Sequence, residues 1–262
     1  MTDTPKYTTQ LQAGLGLVPE TFKLLAAWEP GMSGQDLFKA ALASGDFPAV
    51  TARRLQNVVT EAFRSRYLTD GGAPAKLLKA ISKALSRDDF RSLCFLFTCR
   101  ANPILAEFVR TVYWPRYATG GISVSKADSL QFVSSAVSDG RTTRAWSETT
   151  VTRVASYLLG ACVDFGLLGV MKAGARPILT FRITPMVASI LAHDLHFRGL
   201  GANALLQNSD WGLFGLEADD VLSELKRLSL RGELIVQSAG GLIQVSWKLK
   251  SMEELADGIA KG

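Results

Sequence analysis

Two predicted helix faces carry arginine, amide and hydroxyl groups with which this chain could bind a ligand. The first face belongs to the helix predicted over 51–67, where its polar residues are Arg53, Arg54, Asn57, Thr60 and Arg64. Arginine can pair with guanine O6 and N7, and asparagine can pair with adenine N6 and N7. This face therefore has the residue types that read base edges in a DNA groove.

The second face belongs to the helix predicted over 147–165 and to the turn before it. Its polar residues are Thr149, Thr152 and Arg153 on the helix, and Arg141 and Arg144 in the turn. Charges and hydroxyls in such a turn can hold phosphates while the helix reaches into a major groove. The pattern predicts a second set of contacts to double-stranded DNA.

An ordinary solvent-exposed face remains the alternative for both helices, because any amphipathic helix shows the same period. The turn from about 138 to 146 is also longer than the three or four residues of a tight helix-turn-helix.

The elements that must position these faces are helices. The apolar positions of 51–67 are Leu55, Val58, Val59, Ala62 and Phe63, and those of 147–165 recur at the same steps of three and four. Ser33 as an N-cap and Gly45 as a stop predict a helix before the first face. Segments 32–67 and 125–166 thus form two helix-turn-helix-like pairs.

A third pattern closes the chain. A helix is predicted over 217–230, and two alternating segments, 234–237 and 242–249, flank a turn at 238–241. A helix followed by a hairpin is the outline of a winged helix. We therefore predict a mainly α protein with two helix-turn-helix-like elements and a winged-helix-like C-terminal β-hairpin, divided into domains 1–122 and 123–262.

Charge is distributed unevenly along the 262 residues. Residues 1–200 contain 23 Lys+Arg and 15 Asp+Glu, a net +8, whereas residues 201–262 contain 6 and 9, a net −3. The basic part is compatible with a polyanionic partner. The acidic hairpin region is better suited to stabilising the domain or binding another protein than to binding DNA.

Several classes of function lack their motifs in this sequence. No phosphate-binding loop, serine elbow or Cys-x-x-Cys pair occurs. The two histidines, His193 and His196, have no third metal ligand at a suitable spacing, so we expect them to form an ordinary surface pair and not a metal site. No leader or membrane span is predicted. We expect a cytoplasmic protein that is not an enzyme and has neither cofactor, metal nor membrane contact.

Four segments resemble a known family. They are FPAVTARRLQNVVTEAFRSRYL, VYWPRYATG, RAWSETTVTRVASYLLGACVDFGLL and LKRLSLRGELIVQSAGGLIQVSWKLKSMEELADGIA. These segments are similar to the BrxA family, a core component of the bacteriophage exclusion (BREX) defence systems, and the likeness extends from about residue 7 to residue 259.

The resemblance implies a monomeric, mainly helical protein that binds double-stranded DNA. It would act beside a DNA methyltransferase, an ATPase and a phosphatase-like component. The family offers no catalytic motif to transfer, and the DNA-contact residues above rest on the residue pattern alone. The function predicted is a non-enzymatic DNA-binding accessory protein, with a protein–protein adaptor and an RNA-binding helical module as alternatives.

Overall fold

The computed structural model describes residues 6–172, 174–239 and 242–261. Helices dominate this part of the chain, and two small two-stranded antiparallel sheets complete it, so the predicted mainly α fold is confirmed. Within the described residues, no single helix has the length and apolar character needed to cross a membrane, although the bent pair Arg87–Ala101 and Pro103–Ala118 meets both criteria jointly.

The chain divides into two compact units. Unit 1 consists of Met1–Lys76 and Cys94–Phe181, and unit 2 consists of Leu77–Leu93 and Arg182–Gly262. This division differs from the boundary after residue 122 suggested by the sequence, because each unit gathers two separate stretches of chain. Unit 1 contains 17 Lys+Arg and 12 Asp+Glu, a net +5, whereas unit 2 contains 12 of each and is neutral.

The α-helices that begin before residue 181 are α1 (Val18–Ala27), α2 (Gly34–Ser44), α3 (Ala52–Asn57), α4 (Arg64–Tyr67), α5 (Ala73–Ile81), α6 (Arg87–Ala101), α7 (Pro103–Phe108), α8 (Trp114–Ala118), α9 (Lys126–Ser138) and α10 (Glu148–Asp164). Two π-helical segments, Val58–Phe63 and Val109–Tyr113, join α3 to α4 and α7 to α8. Short 3₁₀ helices cover Gln10–Ala13 and Asp70–Gly72.

Local sequence signals account for the ends of the helices that carry the predicted faces. Ser33 and Asp36 form a reciprocal capping box at the start of α2, and Gly45 ends that helix with a φ of 72°. The hydroxyl of Ser147 accepts a hydrogen bond from the backbone N–H of Thr150 at the start of α10. The predicted limits of both helices are therefore confirmed.

The apolar stripe of the first face is buried as predicted. The side chains of Leu55, Val58, Val59, Ala62 and Phe63 are each at most 3% exposed. The π-helical segment between α3 and α4 contains four of these five residues. Because a π turn closes i→i+5 hydrogen bonds, it shifts the residues that follow around the helix axis.

The small sheet of unit 1 pairs β1 (Ser123–Ser125) with β2 (Ala175–Pro177) in antiparallel register, with Ser123 opposite Pro177. Val124 at its centre is fully buried. The Ser125 hydroxyl caps α9 by accepting from the Asp128 N–H, so the sheet fixes where the helix before the second face begins.

In unit 2 the remaining elements are α11 (Pro185–Phe197), α12 (Ala202–Leu206), a 3₁₀ helix (Trp211–Phe214), α13 (Ala218–Leu230), β3 (Leu234–Ala239), β4 (Leu242–Trp247) and α14 (Met252–Lys261). Strands β3 and β4 form the predicted C-terminal β-hairpin, with Leu234 opposite Trp247. The predicted turn at 238–241 falls partly outside the described residues.

Of the two histidines predicted to lie at the surface, only His196 is partly exposed. His193 is fully buried, because its ring packs edge-on against Trp247 of β4 at a centroid distance of 4.8 Å. His196 stacks on the same indole at 4.4 Å. The hairpin therefore covers this side of α11, which the period of the helix alone does not reveal. Within the described residues, no three His, Cys, Asp or Glu side chains are grouped to hold a metal ion.

Candidate nucleic-acid interface

One groove in unit 1 combines residues from both predicted faces. Its volume is about 460 Å³, and its lining comes from the 3₁₀ helix Gln10–Ala13, from α3 with the π-helical segment, and from α10. The lining residues are Gln10, Gln12, Ala13, Arg54, Asn57, Glu61, Arg153 and Tyr157. We call this the α3–α10 groove. It brings two guanidinium groups and three amide side chains to one concave surface.

The N-terminal segment positions the groove by attaching to the elements on either side of it. The Gln10 amide donates to the backbone carbonyl of Glu61 at 3.2 Å. The backbone of Tyr7 pairs with the turn before α10, since its N–H donates to Arg141 O at 2.7 Å and its carbonyl accepts from Thr143 N–H at 3.0 Å. The 3₁₀ helix packs against both the π-helical segment and α10.

A buried arginine strengthens this attachment. Arg66 is 3% exposed, and its guanidinium donates to the backbone carbonyls of Gly14 and Gly16. Burial lowers the pKa of Arg66. The N–H of Gly16 in turn donates to the carboxylate of Asp164 at 2.9 Å. Residues 14–16 therefore connect α4 to the C-terminal end of α10.

The first predicted face is divided between two environments. Arg54 and Asn57 line the α3–α10 groove, whereas Arg53 is exposed outside its lining. The Thr60 hydroxyl donates to the Gln56 carbonyl at 2.8 Å. Arg64 bends back, with its Nε donating to the Thr60 carbonyl at 3.2 Å.

The groove-facing positions of this helix are therefore 54, 57 and 61, and not the predicted row of 53, 57, 60 and 64. Arg64 instead lies beside α2, where a Cβ placed on Gly34 would be 3.4 Å from its Cδ. The π-helical segment between Asn57 and Arg64 accounts for this separation, because it rotates Arg64 away from the direction of Asn57.

The second face keeps most of its predicted residues at the surface. Arg153 lines the groove, and its guanidinium donates to the Tyr157 hydroxyl at 3.3 Å. Thr149 and Thr152 are exposed on the N-terminal part of α10, and Arg144 is exposed in the turn. These side chains lie outside the groove lining.

The guanidinium of Arg141 contacts other side chains of the protein. It forms an ion pair with Glu107, lies 3.5 Å from the carboxylate of Asp139 and donates to the Tyr7 hydroxyl at 3.2 Å. Burial, with the hydrogen bond to Glu107, raises the pKa of Tyr7 well above its ordinary range. Two carboxylates compensate the charge of Arg141, which leaves less of it for a phosphate than at Arg54 or Arg153.

Sequence reasoning missed Gln10, Gln12, Glu61 and Tyr157 as groove residues. The first two belong to a lead segment interrupted by glycines, and nothing in the local pattern indicates that it packs against two distant helices. Tyr157 carries a usable signal, since it follows Arg153 by one helical turn.

Comparison with known proteins identifies both a family and a fold. The sequence profile of the BrxA family matches residues 5–194. A crystal structure of an uncharacterized protein from Magnetospirillum magneticum superposes with a TM-score of 0.58 at 15% identity, covering 74% of this chain and 95% of that chain. At this identity the likeness concerns the fold alone. No curated protein matches the chain.

Proposed function

The chain belongs to the BrxA family, which makes it a component of a BREX phage-defence system, and from this premise we propose that it binds double-stranded DNA through unit 1. The observation that carries the proposal is the presence of Arg54 and Arg153 in one groove. The net charge of unit 1, +5 against zero for unit 2, supports the same assignment.

The groove favours contact with the sugar-phosphate strand over two separate recognition helices. A helix that reads bases enters a major groove about 12 Å wide as a convex element. Arg54 and Arg153 instead lie in a concavity, which receives a part of the ligand that protrudes. We therefore assign phosphate contacts to these two arginines, with Arg53, Arg144 and Thr149 as further contacts at the exposed surface nearby.

A role without catalysis is part of the proposal. Burial raises the pKa of the Cys94 and Cys162 thiols to about 12, so both thiols stay protonated at neutral pH and are poor nucleophiles. The two guanidinium groups of the groove present several N–H donors and no acceptor, so they suit anion binding better than general-base chemistry.

The proposal is tested by titrating the full chain with a fluorescent duplex of random sequence at several salt concentrations. Affinity should fall with salt, with a slope of log K against log salt of about −0.9 for each phosphate neutralised. A structured RNA added as competitor identifies an RNA-binding module, because the RNA would displace the labelled duplex from such a module. Absence of duplex binding at low salt would contradict the proposal.

An adaptor that holds other BREX components is the second candidate. Four large apolar side chains of unit 1 are exposed around its small sheet: Ile122 at 83%, Val170 at 67%, Met171 at 52% and Leu179 at 41%. Backbone pairing brings the segments that carry them together, since Ile178 N–H donates to Ile122 O and Leu179 N–H to Leu167 O, each at 2.9 Å, and Gly169 N–H donates to Pro177 O at 2.8 Å. Exposed apolar groups that cluster in this way favour a protein partner.

The two candidates give different results in co-purification. For the adaptor, another BREX component should remain bound after nuclease treatment, and Ile122→Ser together with Val170→Ser should release it. Leu42→Ser is a matched control, since Leu42 is 51% exposed on α2, outside the small sheet. Release of the component by nuclease alone would favour a link through DNA.

A further inference from the structure

The composition of the α3–α10 groove is more than a phosphate site requires. A site for phosphate alone uses cations and N–H donors, yet this groove also contains the carboxylate of Glu61 and the amides of Asn57 and Gln12. A carboxylate repels a phosphate, whereas amides and carboxylates together offer both acceptors and donors. The edge of a nucleobase presents both kinds of group.

The groove also has an aromatic residue and a suitable size. Tyr157 is half-buried where it lines the groove, beside the guanidinium of Arg153. Aromatic rings and guanidinium planes are the groups on which unpaired bases stack. The volume of about 460 Å³ lies within the range of about 300–1,000 Å³ that holds small ligands, so the groove can receive one nucleotide but only the protruding sugar-phosphate edge of a paired duplex.

Two residues that line the groove, Gln10 and Asn57, are held in place, which favours one preferred ligand. Gln10 is held by its hydrogen bond to the Glu61 carbonyl, and Asn57 lies on a helix whose apolar side is fully buried. The amides of Asn57 and Gln12 are exposed to solvent. They can therefore exchange water for a ligand without breaking an internal contact that the structure describes.

Resting on the proposed function, we propose that the α3–α10 groove receives a single unpaired nucleotide of an otherwise double-stranded DNA. The base lies against Tyr157 and Arg153 with its edge directed to Asn57, Gln12 and Glu61. The phosphates beside it lie at Arg54 and at the guanidinium of Arg153. The protein then prefers DNA in which one nucleotide is extrahelical, as in a bulge or a locally opened duplex, over a perfectly paired duplex.

The test measures fluorescence anisotropy of the full chain with three duplexes of the same sequence. The first is perfectly paired, the second has one bulged nucleotide, and the third has an abasic bulge. We expect about tenfold tighter binding to the bulged nucleotide, because stacking and edge contacts add to the phosphate contacts. The abasic bulge should return affinity to that of the paired duplex.

Variants separate the base contacts from the phosphate contacts. Asn57→Ala and Tyr157→Leu should lower affinity for the bulged duplex by a larger factor than affinity for the paired duplex, so that the preference for the bulge is lost. Gln244→Ala, which removes an exposed amide from β4, is the matched control. Circular dichroism of each variant verifies that it is folded. A 2-aminopurine in the bulge reports the surroundings of the base directly, and its emission should change on binding to the wild type only.

The outcomes distinguish this inference from the proposed function. Equal affinity for the bulged and abasic duplexes, or for the bulged and paired duplexes, overturns the unpaired-nucleotide site while duplex binding stands. Failure to bind any of the three duplexes overturns both. Retention of the bulge preference by Asn57→Ala and Tyr157→Leu overturns the assignment to this groove.

Discussion

Arg54 of α3 and Arg153 of α10 line the same groove although they lie far apart in the chain. They meet because the 3₁₀ helix Gln10–Ala13 packs against both the π-helical segment and α10. The N-terminal segment is thus a structural part of the candidate site. Two guanidinium groups in one concavity also reinforce each other's attraction for an anion.

Replacing both arginines should weaken duplex binding in a salt-dependent manner. For Arg54→Ala with Arg153→Ala we expect affinity at low salt to fall about tenfold or more, and the slope of log K against log salt to decrease by about two, at roughly 0.9 per phosphate contact. Anisotropy titrations at several salt concentrations measure both quantities. The control, Lys226→Ala with Lys248→Ala, removes two exposed cations of unit 2. If it weakens binding equally, the assignment to unit 1 is wrong.

Arg141 should behave as a structural residue and not as a phosphate contact. Its ion pair with Glu107 and its bond to the Tyr7 hydroxyl fix the turn before α10. Arg141→Ala should lower the free energy of unfolding by about 1–3 kcal/mol, since it leaves a half-buried carboxylate without its partner. The salt slope of duplex binding should stay at the wild-type value. A slope reduced by about one would identify a phosphate contact.

Arg66 should be essential for stability. Arg66→Ala leaves the carbonyls of Gly14 and Gly16 without a donor and opens a cavity. We expect the free energy of unfolding to fall by about 3 kcal/mol, in the range of lost buried hydrogen bonds to a charged group. Urea denaturation followed by circular dichroism gives this value. Arg53→Ala, which truncates an exposed side chain, should change it by no more than about 0.5 kcal/mol.

Gly16 should not tolerate a side chain. A Cβ at this position would lie 2.4 Å from the Cβ of Asp164. Gly16→Ala should destabilise the protein by about 1–3 kcal/mol, because Asp164 belongs to α10 and cannot move aside without backbone shifts. Gly258→Ala is the control, since nothing lies within 4 Å of its added Cβ on α14. That variant should be more stable by up to about 1 kcal/mol, as thermal unfolding can determine.

Stability should depend on pH through the two histidines of α11. Burial lowers the pKa of His193 and of His196 below the ordinary value of 6.5. The unfolded chain therefore binds these protons more readily than the folded protein. The free energy of unfolding should keep its full value above about pH 6.5 and decrease as pH falls below it.

The comparison of wild type with His193→Phe isolates the buried histidine. Urea unfolding at pH 8, 7, 6 and 5.5 should give a smaller decrease for the variant, even if its stability at pH 8 has changed. The nearby carboxylate of Glu233 and the Ser189 carbonyl oppose the effect of burial on the His193 pKa. Identical pH profiles for both proteins would show that His193 does not titrate differently in the folded state.

Local sequence patterns predict the helices and most of their ends. Ser33, Gly45 and Ser147 act through neighbours within four residues, so local patterns predict α2 and α10 correctly. The burial of the apolar stripe of 51–67 follows from spacing for the same reason. Membership of the BrxA family is also recognisable from the first three of the four segments, which lie within the matched residues 5–194, whereas the fourth lies beyond them.

Contacts between distant parts of the chain set which polar residues share a site. The N-terminal segment joins α4 to α10 through the Arg66 and Asp164 hydrogen bonds, and it completes the groove that Arg54 and Arg153 both line. The π-helical segment turns Arg64 away, and Glu107 occupies Arg141. These outcomes depend on contacts between residues distant in sequence, and helical periodicity carries no information about them because it describes each helix only with respect to its own axis.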